Sequence, residues 1–175
     1  MFTYYMPTQV FFGKGCIAES GQVLADLGKR ALLVTGRHSA KVNGSQDAFT
    51  GKLDELGISW YLFDDVENNP SIDTIRRAAA FAKEKGVDFV VGIGGGSPMD
   101  AAKAIALLCT DDLDDEQLFK GPYKKPLPIV AVPTTAGTGS EVNKVSVLTK
   151  VNDGTNQSIN TTLIFPVYAL SLIHI

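Results

Sequence analysis

The sequence predicts an α/β fold: a largely parallel sheet with helices on both faces. Three observations carry that expectation. Short apolar runs alternate with helical patterns along the whole chain. One such run, Val87–Ile93, opens into Gly94-Gly95-Gly96-Ser97-Pro98 and then an Ala-rich helix. Another, Pro128–Val132, opens into Pro133-Thr134-Thr135-Ala136-Gly137-Thr138-Gly139-Ser140, a segment of glycines and hydroxyls.

The elements follow in order. Phe2–Tyr5 and Val10–Phe12 read as short aromatic strands, and 17–28 as a helix stopped by Gly28. Ala31–Thr35 is a buried strand, followed by a Gly/Ser/Asn-rich loop over 36–45. A helix over 46–56 ends at Gly57, and Ile58–Phe63 alternates aromatic and apolar residues as a strand. Ser71 caps a helix over 72–85 that Gly86 stops. The strand 87–93 leads into the glycine loop, with Ser97 as N-cap and Pro98 at the first position of a helix over 98–109. Asp111–Glu116 reads as a solvated acidic loop, 128–132 as a strand, and 145–165 as a hairpin around Asn152-Asp153-Gly154.

Composition narrows the function classes. The chain has 175 residues, 45% hydrophobic and 20% charged, with a net charge of −3, which suits one globular domain with a real core. No basic stripe suggests nucleic acid, and no apolar run has the length of a bilayer span. The opening Met1–Pro7 lacks the pattern of a signal peptide, so the chain reads as cytoplasmic. Cys16 and Cys109 match no metal spacing and read as reduced core thiols. His38 reads as an exposed loop residue.

The glycine loop is the most informative stretch. Gly94, Gly95 and Gly96 permit backbone conformations closed to other residues and let a ligand approach the main chain. The helix behind them offers free N–H groups and a positive dipole end, which suit a phosphate. A plain strand-to-helix turn needs fewer than three glycines. The Rossmann-like dinucleotide fingerprint fits imperfectly: Ser97 stands where its third glycine belongs, and Asp114, at the offset of the ribose acid, sits in the acidic loop. The loop Thr35-Gly36-Arg37-His38-Ser39-Ala40-Lys41, at a strand end, is the better candidate for the adenosine ribose. Thr134, Thr135, Thr138 and Ser140 add donors at a second strand end, and two such loops together indicate a nucleotide site.

The segments 94–103 and 133–142 resemble the iron-containing (group III) alcohol dehydrogenase family, over residues 1 to about 169. The opening Tyr5–Gly13 is similar to members called NADPH-dependent butanol dehydrogenases. The resemblance implies a dinucleotide-binding domain over 1–170, of the kind shared with glycerol dehydrogenase and dehydroquinate synthase. It implies that the glycine loop holds the pyrophosphate, that Thr134, Thr135 and Thr138 lie along the adenosine and ribose, and that Asn69 and Asp100 lie near the nucleotide. NAD-preferring members tend to carry an acid after the strand 31–35; Gly36 stands there instead, with Arg37, Ser39 and Lys41 close by, so NADP(H) is expected over NAD.

The resemblance further implies hydride transfer between a primary alcohol or aldehyde and the nicotinamide, with Fe2+ or another divalent metal held by a helical C-terminal domain. This chain ends before such a domain, and His38 and His174 match no metal spacing. No catalytic residue and no metal ligand is therefore expected here, and the chain alone is expected to be inactive. The family's hairpin lysine aligns with Gln157 or Ser158, which puts that cofactor contact in doubt. Residues 171–175 depart from the family pattern and read as a non-native tail. A homodimer through the N-terminal strands is the expected assembly. The other readings are a glycerol dehydrogenase or dehydroquinate synthase-like relative, and a non-catalytic nucleotide-binding module.

Overall fold

Ala31-Leu32-Leu33-Val34 offers water no polar side chain, and the fold buries the run on both faces. The computed structural model describes residues 1–150 and 154–172. Its strands are β1 (Gln9–Phe12), β2 (Arg30–Thr35), β3 (Ser59–Phe63), β4 (Phe89–Gly94), β5 (Ile129–Pro133), β6 (Val145–Thr149), β7 (Asn156–Asn160) and β8 (Tyr168–Ser171). Its α-helices are α1 (Cys16–Ser20), α2 (Ser39–Val42), α3 (Ser45–Glu55), α4 (Ile72–Lys85), α5 (Gly96–Thr110) and α6 (Asp115–Lys120). Six strands form one sheet in the order β1-β8-β5-β4-β2-β3, every pair parallel. β6 and β7 form a separate antiparallel hairpin. The expected α/β Rossmann-like architecture is present.

Alternation along β2 divides the core. Ala31 and Leu33 face Ile17, Leu24, Phe49 and Leu53 on one side of the sheet. Leu32 and Val34 face Ile75, Ala78 and Ile105 of α4 and α5 on the other, where Leu148 and Ile159 of the hairpin also pack. Helices thus cover both faces, as buried parallel strands require.

Several boundaries follow the sequence signals. Ser71 accepts a hydrogen bond from the Thr74 amide at the start of α4, and Gly86 ends that helix at φ 59°. Others differ. Phe2–Tyr5 is not a strand; these residues are exposed, and the Tyr5 ring meets Phe165 edge-on at 5.9 Å. The expected helix 17–28 is only α1 followed by a 3-10 turn over Gly21–Asp26. A Cβ at Gly21 would stand 2.8 Å from Cγ of Lys52, so α3 crowds the junction. The 36–45 loop contains α2. The acidic loop is partly the helix α6, because Asp114 and Gln117 form a capping box and Asp115 and Glu116 occupy its first turn. Asn152, Asp153 and His174 lie outside the described residues. Ser171 pairs with Phe12, and the Leu172 amide donates to the Pro133 carbonyl at 3.1 Å.

Candidate dinucleotide site

Sheet order fixes where a ligand can sit. From β2 the chain moves to β3 on one side, while β4 lies on the other side and leads on to β5. The edge between β2 and β4 is therefore the topological switch point, where open α/β sheets bind ligands beyond the strand C-termini. Register brings the loops level: Thr35 stands opposite Ile93, and Gly94 opposite Pro133. The loops beginning at Gly36, Gly95 and Thr134 thus leave the sheet together.

Close packing explains the glycines. A Cβ on Gly92 would stand 2.9 Å from Met99 Cα and from the Pro98 carbonyl, so only glycine lets α5 lie this close to β4. Gly94 has φ 140°, and its carbonyl accepts a hydrogen bond from the Thr134 amide at 2.9 Å. Cβ atoms on Gly95 and Gly96 would meet Thr135 Oγ1 at 3.3 Å and Thr138 Cγ2 at 2.9 Å. The glycine and hydroxyl loops are therefore in contact.

The helix start differs from the sequence reading. Gly95, not Ser97, is the N-cap of α5, and no side chain caps this 15-residue helix. Ser97 and Pro98 lie within its first turn. Ser97 Oγ instead accepts a hydrogen bond from the Asn69 amide at 3.3 Å. Asn69 has φ 56°, a left-handed conformation that asparagine tolerates better than most residues, and its carbonyl accepts from Thr149 Oγ1 at 3.0 Å.

Asp100 and Ser140 face inward. Ser140 Oγ donates to Asp100 Oδ1 at 2.5 Å, and Asp100 Oδ2 accepts from the Val147 amide at 3.1 Å. Lys103, fully buried, donates to Ser140 Oγ at 2.8 Å, Asn143 Oδ1 at 3.0 Å and the Val145 carbonyl at 2.7 Å. Burial pulls its ammonium down to about 8, against the pull of Asp100 and Glu141 in the other direction. The sequence reading passed over Lys103 and Asn143. A lone cation amid Ala101, Ala102, Ala104 and Ile105 is the signal that could have found the lysine.

On the β2 loop, a Cβ on Gly36 would meet nothing nearer than the Val66 carbonyl at 3.5 Å. Arg37 is exposed and donates to Asp65 Oδ1 through Nε at 2.9 Å and Nη2 at 2.6 Å. Arg77 holds Asp65 Oδ2 at 3.2 Å, and Lys41 pairs with Asp64 at 2.8 Å. These arginine hydrogen bonds, Arg37's first, hold the Asp65 carboxyl below its ordinary range. Ser39 is exposed at the start of α2. Thr35 Oγ1, beside Gly36, is buried and has no hydrogen-bond partner among the described residues.

These features suit a dinucleotide: an uncapped helix start behind glycines, hydroxyls in contact with them, and an unpartnered polar atom at the switch point. Asp114 is occupied as the N-cap of α6. Among the described residues no group of His, Cys, Asp or Glu could hold a metal. His38 is exposed. No helix among the described residues is long and apolar enough to cross a membrane. A hollow of about 470 Å³, lined in part by Ile72, Asp73, Phe119 and Lys150, draws none of its walls from the three loops.

Known proteins share this fold. The chain is 39% identical over 160 residues to NADH-dependent butanol dehydrogenase A of Clostridium acetobutylicum, covering 90% of this chain and 41% of that protein. An iron-containing alcohol dehydrogenase structure from Thermotoga maritima superposes with a TM-score of 0.91 at 47% identity, covering 98% of this chain and 47% of the other. A sulfoacetaldehyde reductase from Bifidobacterium kashiwanohense, solved in complex with NAD+, superposes at 0.86 with 31% identity, covering 98% of this chain and 46% of the other. The chain thus spans less than half the length of these relatives. The family model for iron-containing alcohol dehydrogenases matches residues 7–171, which include the glycine and hydroxyl loops, and the chain belongs to that family.

Proposed function

We propose that the crevice between β2 and β4 binds a nicotinamide dinucleotide, with NADP(H) preferred. The observation that carries the reading is the level exit of three loops around the uncapped start of α5. The α5 amides and Gly94–Gly96 would hold the pyrophosphate, with Ser97 and Asn69 beside it and Thr134, Thr135 and Thr138 along the nucleoside. Asp100 and Ser140 act behind this surface, holding the hydroxyl loop in place. Gly36 and Ser39 would flank the adenosine ribose.

The coenzyme preference rests on Gly36 and Arg37. Relatives named as NADH-dependent point the other way, and Asp65 already engages Arg37. A 2′-phosphate would carry more negative charge than the Asp65 carboxylate, and its several oxygens suit the arginine fork. It can therefore draw Arg37 from the single carboxylate oxygen that the arginine now holds.

Bound there, the nicotinamide would accept or give a hydride, and the substrate class of the whole protein would be a primary alcohol or its aldehyde. Fe2+ or another divalent metal has no ligand set among the described residues, so no step through a metal is assigned to them. A homodimer built on β1, which forms one edge of the sheet, is part of the same proposal.

Fluorescence titration of the purified chain with NADPH and NADH tests the reading. NADPH is expected to bind at least about tenfold tighter, a difference of about 1.4 kcal/mol, and Arg37→Ala is expected to erase the difference. Equal affinities, indifferent to Arg37→Ala, overturn the preference; no binding of either coenzyme overturns the site.

A further inference from the structure

We propose that Lys103 is a positioning residue of the dinucleotide site, its buried ammonium group fixing the hydroxyl loop against the glycine loop. The inference rests on the dinucleotide reading above.

An ammonium has three N–H donors, and all three are used. They reach Ser140 Oγ, Asn143 Oδ1 and the Val145 carbonyl at 2.8, 3.0 and 2.7 Å. Each acceptor lies in the segment that follows Thr138. Asn143 passes the constraint back, since its Nδ2 donates to the Gly139 carbonyl at 3.0 Å. Ser140 does the same, its amide donating to Thr138 Oγ1 at 3.3 Å. Lys103 itself is on α5, whose first turn carries Gly96 and Ser97. One side chain therefore links the helix that would bind phosphate to the loop that would bind the nucleoside.

Burying a cation is costly, and an apolar residue of similar volume would fill the space without that cost. The lysine's geometry explains its presence: three convergent hydrogen bonds set a loop orientation that apolar packing leaves free. The charged groups facing it are Asp100, with Oδ1 at 3.8 Å on the same helix, and Glu141 in a 3-10 turn over Ser140–Val142, while β6 presents a carbonyl.

Titration separates this role from a purely structural one. Burial holds the Lys103 ammonium down at about 8, and a neutral amine keeps only two donors, so deprotonation removes one of the three links. Burial lowers the folded-state value below the unfolded one of about 10.4, so unfolding takes up a proton between about pH 8 and 10.4, and the fold gains stability as pH rises through that window. Coenzyme affinity, if Lys103 positions the loop, moves the other way.

The experiment measures NADPH dissociation constants and thermal midpoints of the full chain from pH 7 to 9.5, for wild type and Lys103→Met. The wild type is expected to weaken at least about threefold in affinity across pH 8 while its midpoint rises relative to the variant. Lys103→Met, folded by circular dichroism, is expected to bind at least about tenfold more weakly at pH 7, as expected for losing hydrogen bonds to a charged group. A folded variant with wild-type affinity overturns the proposal. So does a wild-type affinity that stays flat across the titration of Lys103 itself, followed by NMR of its 15N-labelled ammonium group, a result that stands even if the variant fails to fold. No binding by the wild type at pH 7 overturns the dinucleotide reading, and this proposal with it.

Discussion

A β-carbon on Gly96 would stand 2.9 Å from Cγ2 of Thr138, so the two candidate ligand loops touch across a position where only hydrogen fits without adjustment. The neighbour is an exposed side chain rather than backbone, and it can turn aside. Gly96→Ala is therefore expected to cost the fold about 1 kcal/mol or less. It displaces Thr138, and coenzyme affinity should fall about fivefold or more, a loss of about 1 kcal/mol in binding. Gly92→Ala meets backbone atoms of Pro98 and Met99 at 2.9 Å, which cannot yield. Its expected cost is about 1–3 kcal/mol in chemical denaturation, as for overpacking elsewhere.

Asp65 restrains Arg37 and Arg77 together. Asp65→Asn is expected to release both and to tighten NADPH binding about threefold, with NADH unchanged. Because the arginines hold this carboxyl below its ordinary range, it stays ionised at pH 5, and lowering the pH that far should not reproduce the variant. Paired titrations of both coenzymes check this.

Glu67 anchors the start of α4, accepting from the Ser71 amide at 2.8 Å and Thr74 Oγ1 at 3.0 Å. Partial burial raises its carboxyl, but the hydrogen bonds from Ser71 and Thr74 prevail and lower it overall. A depressed folded-state value contributes stability that is present above the unfolded value of about 4.3 and lost as pH falls through the folded one. Glu67→Gln should therefore cost about 1 kcal/mol at pH 7, and the gap to wild type should narrow as pH falls below the unfolded value of about 4.3. A series of urea denaturations from pH 7 downward follows the narrowing.

Both thiols should be unreactive in the folded protein. Burial pushes Cys109 up to about 11 and raises Cys16 as well. Iodoacetamide at pH 8, followed by mass spectrometry, is expected to label neither within minutes and both in denaturant. Rapid labelling of the native chain would contradict thiols raised in this way.

The parts legible in the sequence were those governed by neighbours along the chain. Ser71 and Gly86 mark α4 because capping and helix termination are local events. The apolar run in β2 announced a strand buried on both faces. Local signals misplaced the start of α5, because Ser97 Oγ is turned toward Asn69, 28 positions away. They also missed the break after Ser20, which lies where Lys52 of α3 packs against Gly21. The candidate loops were readable from glycines and hydroxyls, but their level exit depends on strand order. The network of Lys103, Asp100, Ser140 and Asn143 spans up to 40 positions, so only the folded chain brings it together.

The position of β8 between β1 and β5 has a consequence for how the chain is made. β1 pairs with β8, joining Gln9 to Tyr168, and Thr8 Oγ1 donates to the Pro166 carbonyl at 2.7 Å. During synthesis the aromatic segment around Phe11 and Phe12 leaves the ribosome long before its partner. At a typical rate of about 5–20 residues per second, it waits on the order of ten seconds or more. Meanwhile β2 to β5 can already assemble, and β1 can pair only once β8 has emerged to lie against β5. The first residues of the domain to appear are among the last to find their place.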